Sequence, residues 1–311
     1  MKENVIIVGS GPAAYAAALY SRSINPLILR GGYIGNNGPG GQLTTTTTVD
    51  NYPGFPVGIQ GPDLMENMYQ HALKHNIRQN MNTVIRISKK ENFYIVETDE
   101  GVYESKAVIV ATGASARRMF VPGTGDDELW QKGISSCAVC DGFFFKGKDV
   151  CVIGGGDSAM VETEFLSNIA KKVYVIHRRN EFRARPDLVK KVRKIQNVEY
   201  LTPFSLQSAH GEEKLEYIKI KNTISGDIVD LKVDGMFFGI GHDPNTSFLK
   251  EKLSHVLDES QYIISDKNMK TSEDGLFACG DVADKTYKQA VTAAGMGCLA
   301  GLEATKYINK M

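Results

Sequence analysis

Two cysteines three positions apart are the most reactive feature of the sequence. Cys137 and Cys140 lie in the segment SCAVCDG. The Cys-x-x-Cys spacing brings two sulfurs close enough to form a small disulfide ring, and such pairs often contain one thiol with a depressed pKa. The same spacing also occurs in half of a zinc site, and two inert thiols are a third interpretation. The pair therefore indicates redox chemistry, with metal binding as its alternative.

Two glycine-rich turns also point to chemistry. Residues 9–14 read GSGPAA and residues 154–159 read GGGDSA, and each follows a run rich in Val and Ile. Glycine permits the backbone angles of a tight turn and lets a diphosphate approach the main chain at a helix N-terminus. Tight strand-to-helix turns also use glycine for purely structural reasons. In this strand–turn–helix setting the two turns predict two bound dinucleotides.

The elements that position these turns follow from the apolar runs. Strands that alternate with small-residue helices are typical of parallel sheets, so the sequence predicts an α/β fold with two βαβ units. The predicted elements are a strand at 5–8, a helix to Arg22 and a strand at 26–29, then a strand at 149–153, a helix through about Ala170 and a strand at 173–176.

The residues after each second strand help to distinguish the nucleotides. His177, Arg178 and Arg179 follow the strand at 173–176, where an NAD site carries an acidic residue for the ribose 2′-hydroxyl. Guanidinium groups suit a 2′-phosphate, so NADPH is favoured over NADH, and a solvated basic surface is the alternative. The first unit has Arg30 at the corresponding place, which leaves its adenosine contacts open.

Several further segments have the composition of a prosthetic-group site. The threonine run at 44–48 leads into VDNYPGF, and its hydroxyls and amides suit the polar edge of a flavin. Asp281 stands where a carboxylate would hold a ribityl hydroxyl, although it would equally cap the next helix. Small residues recur every three or four positions after Ala290, which indicates a helix whose N-terminal end would stabilise an anionic reduced flavin.

Length and composition set the outer limits of the interpretation. The 311 residues are enough for two domains, and Lys plus Arg equal Asp plus Glu at 36 each, so no net charge favours a nucleic-acid or membrane partner. Five cysteines do not describe a secreted disulfide scaffold. The apolar run at 5–8 is too short for a signal peptide, and no run reaches the length of a membrane span. We therefore expect a cytoplasmic protein.

Taken in order, these motifs resemble the low-molecular-weight thioredoxin reductases, which are class II pyridine nucleotide-disulfide oxidoreductases. The resemblance covers essentially the whole chain, and the combination is far more specific than any single motif. The matching segments are GSGPAA at 9–14, GGQLTTTT at 40–47, CAVCDG at 137–142, GGGDSA at 154–159, HRR with FR at 177–183, GHDPNT at 241–246 and GD at 280–281.

The resemblance implies two Rossmann-like three-layer nucleotide-binding domains, with the NADPH domain inserted into the FAD domain. The expected FAD domain comprises 1–117 and 244–311, and the NADPH domain with the cysteine pair comprises 118–243. A homodimer with FAD and NADPH as cofactors and thioredoxin as partner is implied. The expected FAD ligands are Gly9, Gly11, Pro12, Ala13, Gly41, Gln42, Leu43, Asn51, Thr112, Gly113, Gly280, Asp281, Gln289 and Ala290. The expected NADPH ligands are Gly154, Gly156, Asp157, Ser158, His177, Arg178, Arg179 and Arg183.

The mechanism implied by the resemblance is an electron relay from NADPH through FAD and the cysteine pair to thioredoxin. Cys140 is expected to lie nearer the flavin, Cys137 to attack thioredoxin, and Asp141 to act as acid and base, with a simple turn residue as the alternative for Asp141. Rotation of one domain about hinges near Arg117 and Gly241 would let the pair meet both flavin and substrate.

Two departures and three rival functions accompany the resemblance. Val161 stands where members usually have a second acidic residue, and Arg30 is the other departure. A flavoenzyme serving a peroxiredoxin-linked carrier usually has an extra N-terminal domain, and ferredoxin-NADP reductases lack the cysteine pair. A nucleotide-sensing or scaffold protein would not need both glycine turns together with the cysteines and Asp141.

Overall fold

The computed structural model describes residues 1–32 and 38–311, and the chain folds as two compact units. The first unit comprises Met1–Ser115 and Asp243–Met311, and the second, Ala116–His242, is inserted between these two segments. Both units contain parallel sheets flanked by helices, so the predicted α/β class is confirmed.

The regular elements are numbered here in chain order. The strands are β1 Lys2–Val8, β2 Leu27–Leu29, β3 Thr48–Val49, β4 Ile59–Gln60, β5 Arg78–Asn80, β6 Val84–Lys90, β7 Phe93–Thr98, β8 Gly101–Val110, β9 Ala114–Ala116, β10 Ile134–Ser135, β11 Asp149–Ile153, β12 Lys172–Ile176, β13 Val198–Leu201, β14 Phe204–His210, β15 Tyr217–Asn222, β16 Ile228–Lys232, β17 Gly235–Phe238, β18 His242–Pro244 and β19 Leu276–Ala278. The α-helices are α1 Pro12–Tyr20, α2 Gly61–Lys74, α3 Ala138–Asp141, α4 Asp157–Ser167, α5 Pro186–Val192 and α6 Ala290–Ile308.

The first unit is built on a parallel sheet of order β5, β2, β1, β8 and β19, which β7 and β6 extend antiparallel from β8. Both faces of β1 are buried, as expected for a strand at the centre of a parallel sheet. Val5 and Ile7 pack with α1 and α6, whereas Ile6 and Val8 pack against the other face with Tyr94. This double burial explains the continuous apolar run at the start of the sequence.

The second unit has a parallel sheet of order β10, β17, β11, β12 and β13, with a separate antiparallel sheet of β14, β15 and β16. The central strand β11 is again buried on both faces. Cys151 and Ile153 pack towards the antiparallel sheet, and Val150 and Val152 pack with the helices. The carboxyl ends of β1 and β11 therefore present the two glycine turns at the edges of rigid sheets.

The predicted elements agree with these bounds to within a few residues. Pro12 lies in the first turn of α1, where proline is tolerated because its missing N–H would have no helical partner. The helix predicted to reach about Ala170 ends at Ser167. The first two residues of the threonine run, Thr44 and Thr45, end a 3₁₀ segment over Gly41–Thr45. Of the helices in the described ranges, none combines the length and apolar character needed to cross a bilayer.

Candidate active site

Cys137 and Cys140 form a disulfide in the second unit. The short strand β10 leads into α3, so that Cys137 precedes the helix and Cys140 lies within its single turn. Nowhere in residues 1–32 and 38–311 do three or more His, Cys, Asp or Glu side chains gather as a metal site would require. Among the three alternatives left by the spacing, the structure favours a redox pair.

The backbone around the disulfide donates a hydrogen bond to the sulfur of Cys137. The backbone N–H of Cys140 donates a hydrogen bond to Sγ of Cys137 at 3.2 Å. A donor aimed at a sulfur favours its anionic form, because hydrogen bonds to a charged group stabilise that charge. In the reduced pair this bond favours negative charge on Cys137. Both cysteines are half-buried, so neither sulfur is sealed in the core.

Asp141 is a buried carboxylate at the end of the same helical turn, with only 9% of its surface exposed. Its Oδ2 accepts a hydrogen bond from the Ser135 hydroxyl at 2.5 Å, and its backbone N–H donates to the carbonyl of Cys137 at 3.1 Å. The Ser135 hydroxyl, which also accepts a hydrogen bond from the backbone N–H of Cys137, thus connects the carboxylate to the main chain of the redox turn. These contacts favour a role for Asp141 beyond that of a turn residue before Gly142.

The surface next to the disulfide is apolar. Phe143 and Phe144 expose 63% and 53% of their area, and Val139, between the two cysteines, is also exposed. Phe143 packs edge-on against Phe165 of α4 at 6.0 Å, which holds its ring in place. Contiguous exposed aromatic side chains mark surfaces that meet another protein more often than surfaces that stay in water.

The second glycine turn, residues 154–159, leaves room for a diphosphate. Gly154 has φ +156° and a Cβ there would lie 2.3 Å from the carbonyl oxygen of Gly239, so no other residue fits. A Cβ on Gly156 would meet nothing within 4 Å. The N-terminus of α4 opens directly onto this free space. A dinucleotide phosphate fits there, since helix N-termini bind anions.

The basic segment after β12 is tied to this turn by backbone hydrogen bonds. The N–H groups of Arg183 and Ala184 donate to the carbonyl of Gly155 at 2.7 and 3.1 Å. Asp157 accepts from the N–H of Arg185 at 2.8 Å, so this predicted ligand also anchors the segment. The side chains of Arg178, Arg179 and Arg183 remain exposed, as does Ser158. The structure thus brings the predicted NADPH residues together around one turn.

His177 occupies a different environment from the three arginines. It is 9% exposed, and its ring fills the space where a Cβ on Gly155 would lie. Nε2 bonds the carbonyl of Glu181 at 3.2 Å, and the ring stacks on Phe182. Burial lowers the pKa of His177, and the nearby arginine charges lower it further. The imidazole is therefore neutral near pH 7 and supports the turn by packing.

The first glycine turn, residues 9–14, repeats this construction in the first unit. Gly9 has φ +119°, and a Cβ there would lie 2.3 Å from the carbonyl oxygen of Ala111. Above the turn, a Cβ on Gly11 would have only the Gly40 oxygen, at 4.0 Å, as a neighbour, and one on Gly41 would have none within 4 Å. This open cradle fits the diphosphate of FAD.

Arg30 directly follows β2, the chain position at which such folds contact the adenosine ribose. Its guanidinium lies 4.4 Å from the ring of Tyr69, and its buried Nε has no hydrogen-bond partner among residues 1–32 and 38–311. Burial raises the pKa of Tyr15, and the charge and hydrogen bond of Arg30 oppose that rise. A buried donor without a partner is costly, so Arg30 fits a site completed by an acceptor on the cofactor.

Asp281 follows β19 within a short 3₁₀ turn and is partly buried. Burial raises the pKa of Asp281 to about 6, and the carboxylate of Asp284 acts in the same direction. The alternative that Asp281 caps the next helix is wrong, because Gln289 is the N-cap of α6 and shares a capping box with Thr292.

The other predicted FAD residues all lie in the first unit. Gly280 packs closely on Ala13, since a Cβ there would lie 2.9 Å from the Ala13 methyl. Gln42 Nε2 donates to the Ala114 carbonyl at 2.7 Å, and Asn51 Nδ2 donates to Gln289 Oε1 at 3.3 Å. Pro12 and Ala290 are the first residues of α1 and α6. Leu43 packs against the apolar core of this unit.

Three residues that the sequence did not single out hold predicted site residues in place, each within its own unit. Asn245 donates to the carbonyl of Thr112 at 2.9 Å and its N–H donates to the carbonyl of Gly113 at 3.0 Å. Ser10 links the carbonyl of Arg30 to the N–H of Gly40. Ser135 contacts both Cys137 and Asp141. Ser10 and Asn245 lie inside recognised motifs, whereas nothing in the spacing identifies Ser135.

Comparisons with known proteins agree with this arrangement. A family model described as pyridine nucleotide-disulphide oxidoreductase matches residues 3–297. A thioredoxin reductase of Chlamydia pneumoniae is 44% identical over 310 residues, which cover 98% of each chain. The solved thioredoxin reductase from Giardia duodenalis has a TM-score of 0.93 at 36% identity and covers 99% of each chain. The thioredoxin reductase from Streptococcus pyogenes has a TM-score of 0.90 at 36% identity, covering 100% of this chain and 99% of that one.

Proposed function

The chain belongs to the pyridine nucleotide-disulphide oxidoreductase family, and we propose that it is a thioredoxin-disulfide reductase that draws its electrons from NADPH through FAD. The single observation that carries this function is the disulfide between Cys137 and Cys140 beside the buried carboxylate of Asp141. A dithiol next to a proton carrier is what reduction of a protein disulfide requires.

FAD and NADPH are the cofactors of this chain, and we assign one to each unit. The first unit holds FAD, with its diphosphate over Gly11 and Gly41 and its adenosine half near Arg30. The second unit holds NADPH over Gly156, with the exposed arginines after β12 on the 2′-phosphate. When bound, FAD accepts hydride from NADPH and returns the two electrons to a disulfide.

The protein's own residues then exchange the electrons with thioredoxin. The Cys137 thiolate attacks one sulfur of the thioredoxin disulfide, a mixed disulfide forms, and the departing thioredoxin thiolate takes a proton from the Asp141 carboxyl. Cys140 gives its proton to the Asp141 carboxylate and attacks Cys137, which restores the intramolecular disulfide. The second thioredoxin thiolate takes that proton, so two electrons and two protons reach the substrate. The hydrogen bond on Sγ of Cys137 supports this assignment of the nucleophile.

The exposed side chains around the pair are the proposed docking surface for thioredoxin. Val139, Phe143 and Phe144 offer apolar area within a few residues of both sulfurs. A substrate seated on this surface presents its disulfide to Cys137 without any change in the fold of the second unit. Phe144→Ala is expected to raise the KM for thioredoxin, as measured by steady-state kinetics.

A homodimer in the cytoplasm is the proposed setting of the reaction. Val291, Leu299 and Leu302 leave an exposed apolar stripe along one face of α6, on which Gly295 contributes no side chain. Light scattering of the purified protein would test this interface, since Leu299→Glu should yield monomers. Cys151, Cys279 and Cys298 are unpaired, which fits a reducing compartment.

The decisive experiment follows NADPH oxidation with and without oxidised thioredoxin, in the wild type and in Cys140→Ser. We expect the wild type to reduce thioredoxin catalytically. The variant should bind flavin and accept electrons from NADPH, yet lose thioredoxin turnover by more than about 1,000-fold, because one sulfur cannot regenerate the disulfide. Cys298→Ser is the matched control and should behave as the wild type. Undiminished thioredoxin reduction by Cys140→Ser would refute the proposal.

A further inference from the structure

Ser135 is a buried hydroxyl that contacts two members of the redox site at once. It ends β10, where it pairs with Phe237 of β17, and only 4% of its surface is exposed. Its Oγ accepts a hydrogen bond from the backbone N–H of Cys137 at 3.0 Å. The same hydroxyl donates to Oδ2 of Asp141 at 2.5 Å. The Ser135 hydroxyl thus acts as acceptor for Cys137 and as donor to Asp141, the first and last residues of the turn that contains the cysteine pair.

These bonds close a ring through the turn. The Asp141 N–H donates to the Cys137 carbonyl, so backbone and side-chain bonds together connect these two residues from both sides. A carboxylate held by its backbone alone would still rotate about its side-chain bonds. The serine removes that freedom, because its own position is fixed by the sheet and not by the turn.

We propose that Ser135 is a positioning residue for thiol–disulfide exchange, which holds the Asp141 carboxylate in register with the main chain of Cys137. The inference rests on the proposed function, in which Asp141 carries a proton between the sulfurs and the substrate. Ser135 neither gains nor loses a proton or an electron in this cycle. It restricts the orientations of the carboxylate to those from which a proton can be exchanged with the sulfur.

A role in orientation predicts a specific kinetic pattern. The exchange rate should fall when the hydroxyl is removed, whereas docking of thioredoxin should not change, since the docking surface is formed by the exposed residues around the pair. Removal of Ser135 should therefore lower kcat for thioredoxin and leave its KM within about twofold. Transfer of hydride from NADPH to the flavin should keep its rate, because it does not involve Asp141.

The test compares two variants of equal shape. Ser135→Thr keeps a hydroxyl and Ser135→Val replaces it by a methyl group, so any misfit caused by the larger side chain is common to both. We expect the Val variant to have a kcat about 10- to 100-fold below that of the Thr variant, the range given by a buried hydrogen bond to a charged group. Ser135→Ala should lose activity to a similar extent.

Ser136→Ala is the matched control. Ser136 is the adjacent residue, is half-buried, and has no side-chain hydrogen bond within the part of the chain that the structure describes. Its kcat and KM should equal those of the wild type. Retained flavin colour and rapid bleaching by NADPH establish that each variant is folded before its exchange rate is compared.

A second arm isolates the connection to Asp141. In an Asp141→Asn background, exchanging Thr for Val at position 135 should change kcat by less than about twofold, because the group being positioned is gone. Equal losses in both backgrounds, or Val and Thr variants of equal kcat, would overturn the role of Ser135 while the wild type still reduces thioredoxin. A wild type that never reduces thioredoxin would instead refute the proposed function itself.

Discussion

The two glycine turns solve the same steric problem in the same way, one in each unit. Gly9 and Gly154 both have positive φ, and at both a Cβ would come within 2.3 Å of a carbonyl oxygen from a neighbouring strand. The glycine two residues later faces open space in both units. The two turns therefore offer a diphosphate the same close backbone and the same open space.

The turns differ in where the neighbouring charge lies. Arg30 in the first unit is half-buried against Tyr69, its Nε has no hydrogen-bond partner among the described residues, and Asp281 follows β19 of the same unit. In the second unit the three arginines after β12 are exposed. Buried polar groups suit a cofactor that stays, and exposed charge suits one that must enter and leave with each turnover. We infer that the surroundings of the turn, and not the turn, determine which nucleotide binds and for how long.

The largest effect should come from the strained glycines. Gly9→Ala and Gly154→Ala force a Cβ into a carbonyl oxygen, which displaces the turn from its strand. We expect Gly9→Ala to be purified without flavin, whereas Gly154→Ala should retain flavin that NADPH no longer reduces. Visible absorption before and after NADPH distinguishes the two.

The open glycines provide the control for that experiment. Gly11→Ala and Gly156→Ala place a Cβ in empty space, so both variants should keep the melting temperature of the wild type and lose only affinity for the nucleotide in their own unit. Loss of flavin from Gly154→Ala or Gly156→Ala would contradict the inference that each turn serves the nucleotide of its own unit alone.

The next largest effect concerns the exposed arginines. Replacing Arg178, Arg179 and Arg183 together by Gln should raise the KM for NADPH about 100-fold and leave the KM for NADH nearly unchanged, because each exposed charged contact with the 2′-phosphate contributes about 1 kcal/mol. Lys190→Gln on α5 is the control, since it removes an exposed charge elsewhere in the same unit. An equal rise in the KM for NADPH and for NADH would mean that the arginines bind a part of the nucleotide other than the 2′-phosphate.

The sequence predicted the parts of this comparison that depend on local patterns. The apolar runs of β1 and β11 predict central strands, and the glycines after them predict the turns, because both signals are contained in a few adjacent residues. The bonds from Ser10 to Gly40 and from Asn245 to Thr112 span 30 and 133 positions, and no local pattern encodes them. The sequence also did not predict the burial of His177. The HRR segment is uniformly basic in sequence, and only the structure shows that the imidazole packs against Gly155.

The smallest predicted effect concerns Asp281, which follows β19 in the first unit. Its pKa is raised to about 6 by burial, above the ordinary aspartate value near 4, so the folded protein binds this proton more tightly than the unfolded chain. Stability without flavin therefore falls as pH rises from about 4 to 6, and the penalty persists above pH 6. Its size is about 2 kcal/mol, after allowance for partial exposure of the side chain.

Asp281→Asn removes this penalty, so the flavin-free variant should melt several degrees above the flavin-free wild type at pH 7.5 and at the same temperature near pH 4. Asp127→Asn, an exposed aspartate in the second unit, should give no difference at either pH. If Asp281 accepts a hydrogen bond from a ribityl hydroxyl, as the sequence predicts, the order should reverse with FAD bound, because such a hydroxyl donates better to a carboxylate than to an amide. A variant that is more stable at pH 7.5 both with and without FAD would show that the charge of Asp281 serves no cofactor, and the contrast between a buried, resident site and an exposed, exchanging one would then rest on Arg30 alone.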